Sequence, residues 1–121
     1  MNYEFNDIQK SIKENFKKFC ENEIKPHAAL LDIGDEKSVE ILKKNIKKLG
    51  DLGYLGMIHE EEYGGTNQDL INFAIAGEEV AKACAATFLS AGASCGLCGM
   101  PIRLFGSKKQ KEKYLPGIIS G

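Results

Sequence analysis

Three consecutive glutamates, residues 60–62, form the densest group of side chains in the sequence that could carry out proton transfer. A carboxyl group acting as a general acid needs a pocket that raises its pKa, and consecutive residues of a regular structure point in different directions. The glutamates precede Tyr63, Gly64 and Gly65 and a predicted helix. Glycines favour a sharp turn, and carboxylates are favourable near a helix N-terminus. The pattern therefore favours a solvated turn over a catalytic acid cluster.

Cys95 and Cys98 form a C-x-x-C pair, which is a second spacing that could carry chemistry. A structural zinc site needs four ligands, and Cys20 and Cys84 stand at no matching spacing. A thioredoxin-like redox pair would follow a strand, whereas a helix is predicted before this pair. Small buried residues are the favoured interpretation, and a redox pair is the minor alternative. No metal site is predicted.

The remaining nucleophiles and bases form no recognisable catalytic motif. His27 and His59 are isolated, and no serine or cysteine stands in a nucleophile motif. The sequence also contains no Gly-x-Gly-x-x-Gly or Walker pattern, so a phosphate-binding loop is not expected. No catalytic residue is predicted in this chain.

The run of alanine, serine and glycine across residues 90–99 is unusual for a helix. Such a composition sacrifices helix propensity and packing volume at nearly every position. Something must therefore lie close to this helix. It is either a neighbouring helix or a slender ligand, such as an acyl chain in a narrow slot.

The elements that would position these residues are all helical. Apolar residues recur at spacings of three and four, and no segment alternates with period two between hairpin turns. The sequence predicts an all-α domain over residues 1–121, an orthogonal or up-down bundle of about six helices. Its third helix is predicted to have an inner face formed by Leu70, Phe73, Ala74, Gly77, Val80 and Ala81.

Polar and glycine residues predict where several helices begin and end. Asn6 with Gln9, and Ser107 with Gln110, have the spacing of capping boxes. Thr66, three residues before Asp69, is predicted to cap the third helix, and Gly50 is predicted to end the second. The fourth helix is expected from 85 to 98, a short fifth from 100 to 105, and the sixth from 108 to 115 before Pro116.

Composition excludes several classes of function. The chain has 121 residues and a net charge of −1, and its basic cluster at residues 108–113 is interpreted as a solvated helix face rather than a nucleic-acid site. The sequence contains no run of eighteen apolar residues, so no membrane span is predicted. The N-terminus does not resemble a secretory signal. Four cysteines without such a signal indicate reduced thiols, so a cytoplasmic location is expected.

The residues assembled above resemble the N-terminal domain of the acyl-CoA dehydrogenase family. "LGDLGYLGM" (49–57) followed by "EEYGG" (61–65) resembles a helix end and turn of that family, and "TNQDLINFAIAGEEVAK" (66–82) resembles its next helix. "MPIRLFGSKKQKEKYLPGIISG" (100–121) resembles the segment that closes the domain, and "FNDIQKSIKENFKKFCENEIKP" (5–26) matches its first helix in pattern. The ordered set covers nearly the whole chain.

The resemblance implies an all-helical domain of a larger FAD-dependent enzyme of fatty acid metabolism. Such enzymes oxidise the Cα–Cβ bond of an acyl-CoA thioester: a carboxylate takes the α-proton and hydride passes to the flavin. Electrons then go to an electron-transferring flavoprotein, and the enzymes are usually homotetramers. The N-terminal domain supplies one wall of the acyl pocket. By this resemblance, the residues expected to contact the acyl chain are Ser90, Ala93, Ser94 and Leu97.

Two departures from the family pattern stand out. His59 occupies a position where the family often has proline, which predicts a looser turn. The sequence also ends at Gly121, where the family would enter its middle β-domain. The middle and C-terminal domains, the FAD contacts and the catalytic carboxylate are thus absent from this chain, which is expected to be inactive alone. The alternative is a stand-alone, non-catalytic helical module that binds a protein partner.

Overall fold

The computed structural model describes residues 3–121, and within that range every regular element is helical. A π-helical segment, Ala93–Cys98, joins α5 (Ala85–Gly92) to α6 (Gly99–Phe105), so that Ala85–Phe105 runs as one helix of 21 residues. The all-α prediction is confirmed, although the predicted fourth and fifth helices are continuous. The helices are α1 (Asp7–Glu23), α2 (Ala28–Leu31), α3 (Glu36–Leu52), α4 (Leu70–Ala83), α5 (Ala85–Gly92), α6 (Gly99–Phe105) and α7 (Lys108–Ser120).

The two predicted capping boxes are confirmed at the starts of α1 and α7. The cap predicted for α4 is wrong, because the carboxylate of Asp69, not Thr66, accepts the backbone N–H of Asn72. The predicted end of α3 is also wrong: the helix passes Gly50 and ends at Gly53, whose φ of 95° is left-handed. Glycine suits that conformation because it has no Cβ.

The predicted end of α7 before Pro116 is wrong as well. The helix continues through the proline to Ser120, and Leu115 and Ile119 are buried on either side of it. A proline inside a helix removes one backbone hydrogen bond. Burial of these two apolar side chains offsets that loss, and it holds the end of α7 against the turn at Tyr63.

The core lies where α1, α4 and the segment after α3 meet. Tyr54 is fully buried, stacks on Phe73 with 5.0 Å between ring centroids, and meets the edge of Phe16 at 5.9 Å. The predicted inner face of α4 is only partly right. Gly77 and Val80 are buried, but Leu70 and Ala74 are exposed, and the buried apolar face is completed by Ile75, Ala76 and Ala83.

The continuous helix Ala85–Phe105 leaves much of its apolar surface uncovered. By length and composition alone it could cross a membrane, but only 22% of its apolar stretch is buried, and one such helix is weak evidence for a span. The exposed apolar side chains on it include Leu89, Leu97, Leu104 and Phe105. This helix carries all four residues that were predicted to contact an acyl chain.

Candidate functional site

The predicted acyl-contact residues lie on the long helix, at the junction of α5 and the π segment. Ala93 and Leu97 are exposed, with Leu97 at 81% of its maximal exposure, and Ser90 and Ser94 are half-buried. Residues three and four apart are neighbours in an α-helix, and the wider π turn alters that relation for Ala93, Ser94 and Leu97. These four residues, three of them small and one large and apolar, make up the candidate acyl surface.

A groove of about 420 Å³ adjoins this surface. Ser90 lines it together with Leu42, Lys43 and Ile46 of α3 and the terminal Gly121. The lining is largely apolar, with the serine hydroxyl and the lysine as its polar side chains. Of the four predicted residues, Ser90 is therefore the one that faces α3.

A buried histidine lies behind the same segment. His59 is fully buried, and its Nε2 lies 2.9 Å from the carbonyl oxygen of Cys95 in the π segment. Burial lowers the pKa of His59, with a smaller lowering from the positive charge of Arg103. The imidazole is thus a contact between the turn and the long helix, and its partner is a backbone carbonyl rather than a catalytic side chain. The looser turn at His59 stays a prediction.

The glutamate turn is built by backbone contacts rather than by an acid pocket. Glu61 and Glu62 are exposed and begin the 3-10 turn Glu61–Tyr63, which buries Tyr63. Gly64 follows with a φ of 100°. Glu61 and Glu62 are exposed and Glu60 is half-buried, in agreement with the interpretation of this stretch as a turn.

Arg103 of α6 ties this turn to the long helix. Its guanidinium donates to the carbonyl oxygen of Ile58 and, at 2.9 Å, to Oδ1 of Asn67. Its Nε lies 3.9 Å from the carboxylate of Glu60. No local sequence pattern predicts these contacts of Arg103, because its partners stand between 36 and 45 residues away along the chain.

The four cysteines are all free, and they differ in exposure. Cys20, Cys84 and Cys95 are buried, but Cys98 is exposed, so the interpretation of the C-x-x-C pair as two buried residues is correct for Cys95 alone. Burial raises the pKa of Cys95 to about 11. Among residues 3–121, no group of three or more His, Cys, Asp or Glu side chains could hold a metal ion.

The fold is a helical domain whose longest helix leaves much of its apolar surface uncovered. Residues 6–121 match the family described as acyl-CoA dehydrogenase, N-terminal domain, and the chain belongs to that family. The resemblance inferred from the sequence is confirmed.

Relatives of known structure or description agree with this assignment. The chain is 40% identical over its full length to a probable acyl-CoA dehydrogenase, YngJ, of Bacillus subtilis, and it spans 31% of that protein. An acyl-CoA dehydrogenase of Bacillus anthracis complexed with FAD matches 97% of the chain with a TM-score of 0.83 and 33% identity, over 19% of its own length.

One solved structure, described as the electron transferring flavoprotein of Acidaminococcus fermentans, contains a chain similar to this one. The match covers all of the present chain and 31% of the other chain, with a TM-score of 0.85 and 30% identity. The present chain thus spans about a third or less of the proteins it matches.

Proposed function

We propose that this chain is the N-terminal helical domain of an FAD-dependent acyl-CoA dehydrogenase, in which Ser90, Ala93, Ser94 and Leu97 form part of the acyl-chain pocket. The middle β-domain and C-terminal helical domain of the enzyme complete that pocket. FAD, held by the other domains of the complete enzyme, would supply the hydride acceptor for oxidation of the acyl chain. Residues 90–97 bind the chain, orient it and exclude water.

The observation that carries this proposal is the uncovered apolar surface of the long helix, Ala85–Phe105. The family of the domain is already established. Leu97 is 81% exposed beside the small side chains of Ala93 and Ser94. An exposed apolar surface of this kind marks a site that a ligand or another part of a protein covers. Small side chains leave room for a slender chain beside the helix, whereas large ones would fill that room.

The residues of this domain do not fit a flavin by themselves. The only paired glycines, Gly64 and Gly65, are packed against backbone: a Cβ on Gly65 would lie 2.1 Å from the carbonyl oxygen of His59. The space beside the Cα of Gly65 is thus filled by backbone, and no other glycine pattern opens a helix as a phosphate cradle would. The domain alone is therefore expected to hold no flavin and to be inactive.

The direct test compares acyl-CoA substrates of increasing chain length in the complete enzyme that carries this domain. Ala93→Phe should narrow the pocket and lower kcat/KM for long chains by about tenfold or more relative to short ones. Ala85→Phe is the matched control, because Ala85 is an exposed alanine at the other end of α5. Equal effects of the two variants on every chain length would contradict the proposed position of the pocket.

The partners follow from the same proposal. An electron-transferring flavoprotein would reoxidise the reduced flavin, and the complete enzyme would form a homotetramer in the cytoplasm. The free state of all four cysteines suits a reducing compartment. Transfer of electrons from reduced enzyme to a purified electron-transferring flavoprotein, followed by flavin absorbance, tests the first of these.

A second candidate is a helical module that binds a protein partner and has no catalytic role. The exposed leucines of the long helix favour it, because apolar patches promote association. This candidate predicts a stable oligomer or complex of the 121-residue chain. A monodisperse monomer by light scattering would contradict it.

A further inference from the structure

The π segment Ala93–Cys98 interrupts the regular hydrogen bonding of the long helix at the proposed acyl surface. In an α-helix the N–H of Gly99 would bond to the carbonyl of Cys95, four residues back. Here that N–H bonds to the carbonyls of Ser94 and Gly96 instead. Short π-helical turns are rare and often lie at functional sites. The carbonyl of Cys95 has therefore lost the donor that a regular helix would give it.

His59 supplies a replacement donor. Its Nε2 lies 2.9 Å from the oxygen of Cys95, and both residues are fully buried. A carbonyl oxygen only accepts hydrogen bonds, so Nε2 carries the hydrogen and the neutral ring has no proton on Nδ1. Among the described residues Nδ1 has no hydrogen-bond partner, in agreement with this tautomer.

The imidazole also occupies space that a side chain on the helix would otherwise fill. A Cβ on Gly99 would lie 2.8 Å from both Cε1 and Nε2 of the ring. The ring thus contacts the helix backbone at two successive turns, through the carbonyl of Cys95 and the bare Cα of Gly99. Glycine at 99 allows this approach, since any Cβ there would displace the ring.

We propose that His59 is a positioning residue: its hydrogen bond to Cys95 holds the π turn and so fixes which side chains of residues 93–97 face the acyl chain. The effect of this contact on catalysis rests on the proposed function. Successive residues of an α-helix are rotated by about 100°. In a regular α-helix Leu97, seven residues after Ser90, would lie within about 20° of it around the axis. The wider π turn changes that angle, so closing it to an α turn would move Leu97 around the helix axis relative to Ser90.

A matched pair of variants separates the hydrogen bond from simple filling of space. Gln and Met have similar length and volume, but only Gln has an N–H that can reach the carbonyl of Cys95. Backbone amide and carbonyl NMR shifts of the full chain are measured for wild type, His59→Gln and His59→Met. The expected result is that shifts of residues 93–99 are kept in the Gln variant and moved in the Met variant. Unchanged shifts in the Met variant would overturn the proposal.

The wild-type chain gives a measurement that does not depend on either variant folding. The ring ¹⁵N spectrum of His59 should show a protonated Nε2, an unprotonated Nδ1, and a slowly exchanging proton close to the Hα atoms of Gly99. A protonated Nδ1, or a rapidly exchanging Nε2 proton, would overturn the assignment even if His59→Met unfolds.

The consequence for specificity is measured in the complete enzyme. His59→Met should change the ratio of kcat/KM between long and short acyl-CoA substrates by about tenfold, and His59→Gln should restore the wild-type ratio. Equal ratios in all three proteins would overturn the specificity role. An enzyme that oxidises no acyl-CoA at all would instead contradict the proposed function, while the NMR shifts would still decide whether His59 holds the π turn.

Discussion

The buried amide of Asn45 donates a 3.0 Å hydrogen bond from Nδ2 to Oγ1 of Thr87, which joins α3 to α5 across 42 residues of sequence. The hydroxyl of Thr87 in turn donates to Sγ of Cys84 at 3.2 Å. Both Asn45 and Thr87 are buried, so neither can exchange its partner for water. This contact fixes the start of the helix that carries the proposed acyl surface.

Thr87→Val should destabilise the domain by about 1–3 kcal/mol, because valine keeps the shape of threonine but leaves the amide of Asn45 buried without its acceptor. Chemical denaturation of wild type and variant measures the change in the free energy of unfolding. Thr66→Val, at an exposed threonine, is the control and should change stability by no more than about 0.5 kcal/mol. Equal effects at both positions would show that the buried hydrogen bond contributes nothing.

The stability of the domain should fall as the pH is lowered through the range where histidine titrates. Burial lowers the pKa of His59 below its unfolded value of about 6.5, so the unfolded state binds more protons in that range. Stability from the neutral ring is therefore present above about pH 6.5 and is lost as the pH falls toward the lower native pKa. Glu60, which opposes the shift, and Arg103, which adds to it, are the charged groups near the ring.

Denaturation of wild type and His59→Gln at several pH values between 8 and 5 checks this dependence. Glutamine does not titrate, so the difference in unfolding free energy between the two proteins should shrink or reverse as the pH falls. A difference that stays constant across the range would mean that the native and unfolded pKa values of His59 are the same.

A single thiol should react rapidly with a thiol reagent in the native chain. Cys98 is exposed, whereas burial raises the pKa of Cys20 and of Cys95 to about 11 and shields both side chains. Titration with a chromogenic disulfide should give one fast equivalent per chain, and Cys98→Ser should abolish it. Two fast equivalents that disappear together as an intramolecular disulfide would instead support the redox alternative for the C-x-x-C pair.

Two glycine-to-alanine variants should change stability in opposite directions. Gly65→Ala should destabilise the domain, because the new Cβ would lie 2.1 Å from the carbonyl oxygen of His59 in the turn. Gly117→Ala, on the exposed side of α7, meets no atom within 4 Å and should stabilise by about 0.5–1 kcal/mol through the unfolded state. Thermal melting of both variants gives the comparison, and a destabilised Gly117→Ala would contradict the helix through Pro116.

Much of this fold could be predicted from local sequence signals. The predictions of helix ends were wrong where contacts between residues far apart in sequence determine the structure. The boxes at Asn6 and Ser107 need only residues three positions apart, so they could be predicted. Gly50 and Gly53 are both plausible helix ends from sequence. In the structure α3 ends at Gly53. Gly50 instead packs against the backbone carbonyl of Ser120, since a Cβ on Gly50 would lie 2.3 Å from that oxygen.

Contacts between residues far apart in sequence also explain why the π turn at the candidate site was not predicted. Small residues at 90–99 predicted close approach by another group, but no local pattern shows that the helix has a π turn. That turn depends on His59, which stands 36 residues before Cys95. On α4, apolar residues occur on two sides of the helix, so periodicity alone could not decide that Ile75 and Ala76 would be buried while Leu70 stays exposed.

The central claim is that these residues are one domain of a flavin-dependent enzyme, and the most direct test is the intact mass and absorption spectrum of the endogenous protein. Because the chain spans 31% of its Bacillus subtilis relative, we expect a mass about three times 13.3 kDa, with a bound flavin that acyl-CoA bleaches. A protein of 13.3 kDa that carries no flavin and associates with no flavin-binding subunit would contradict it.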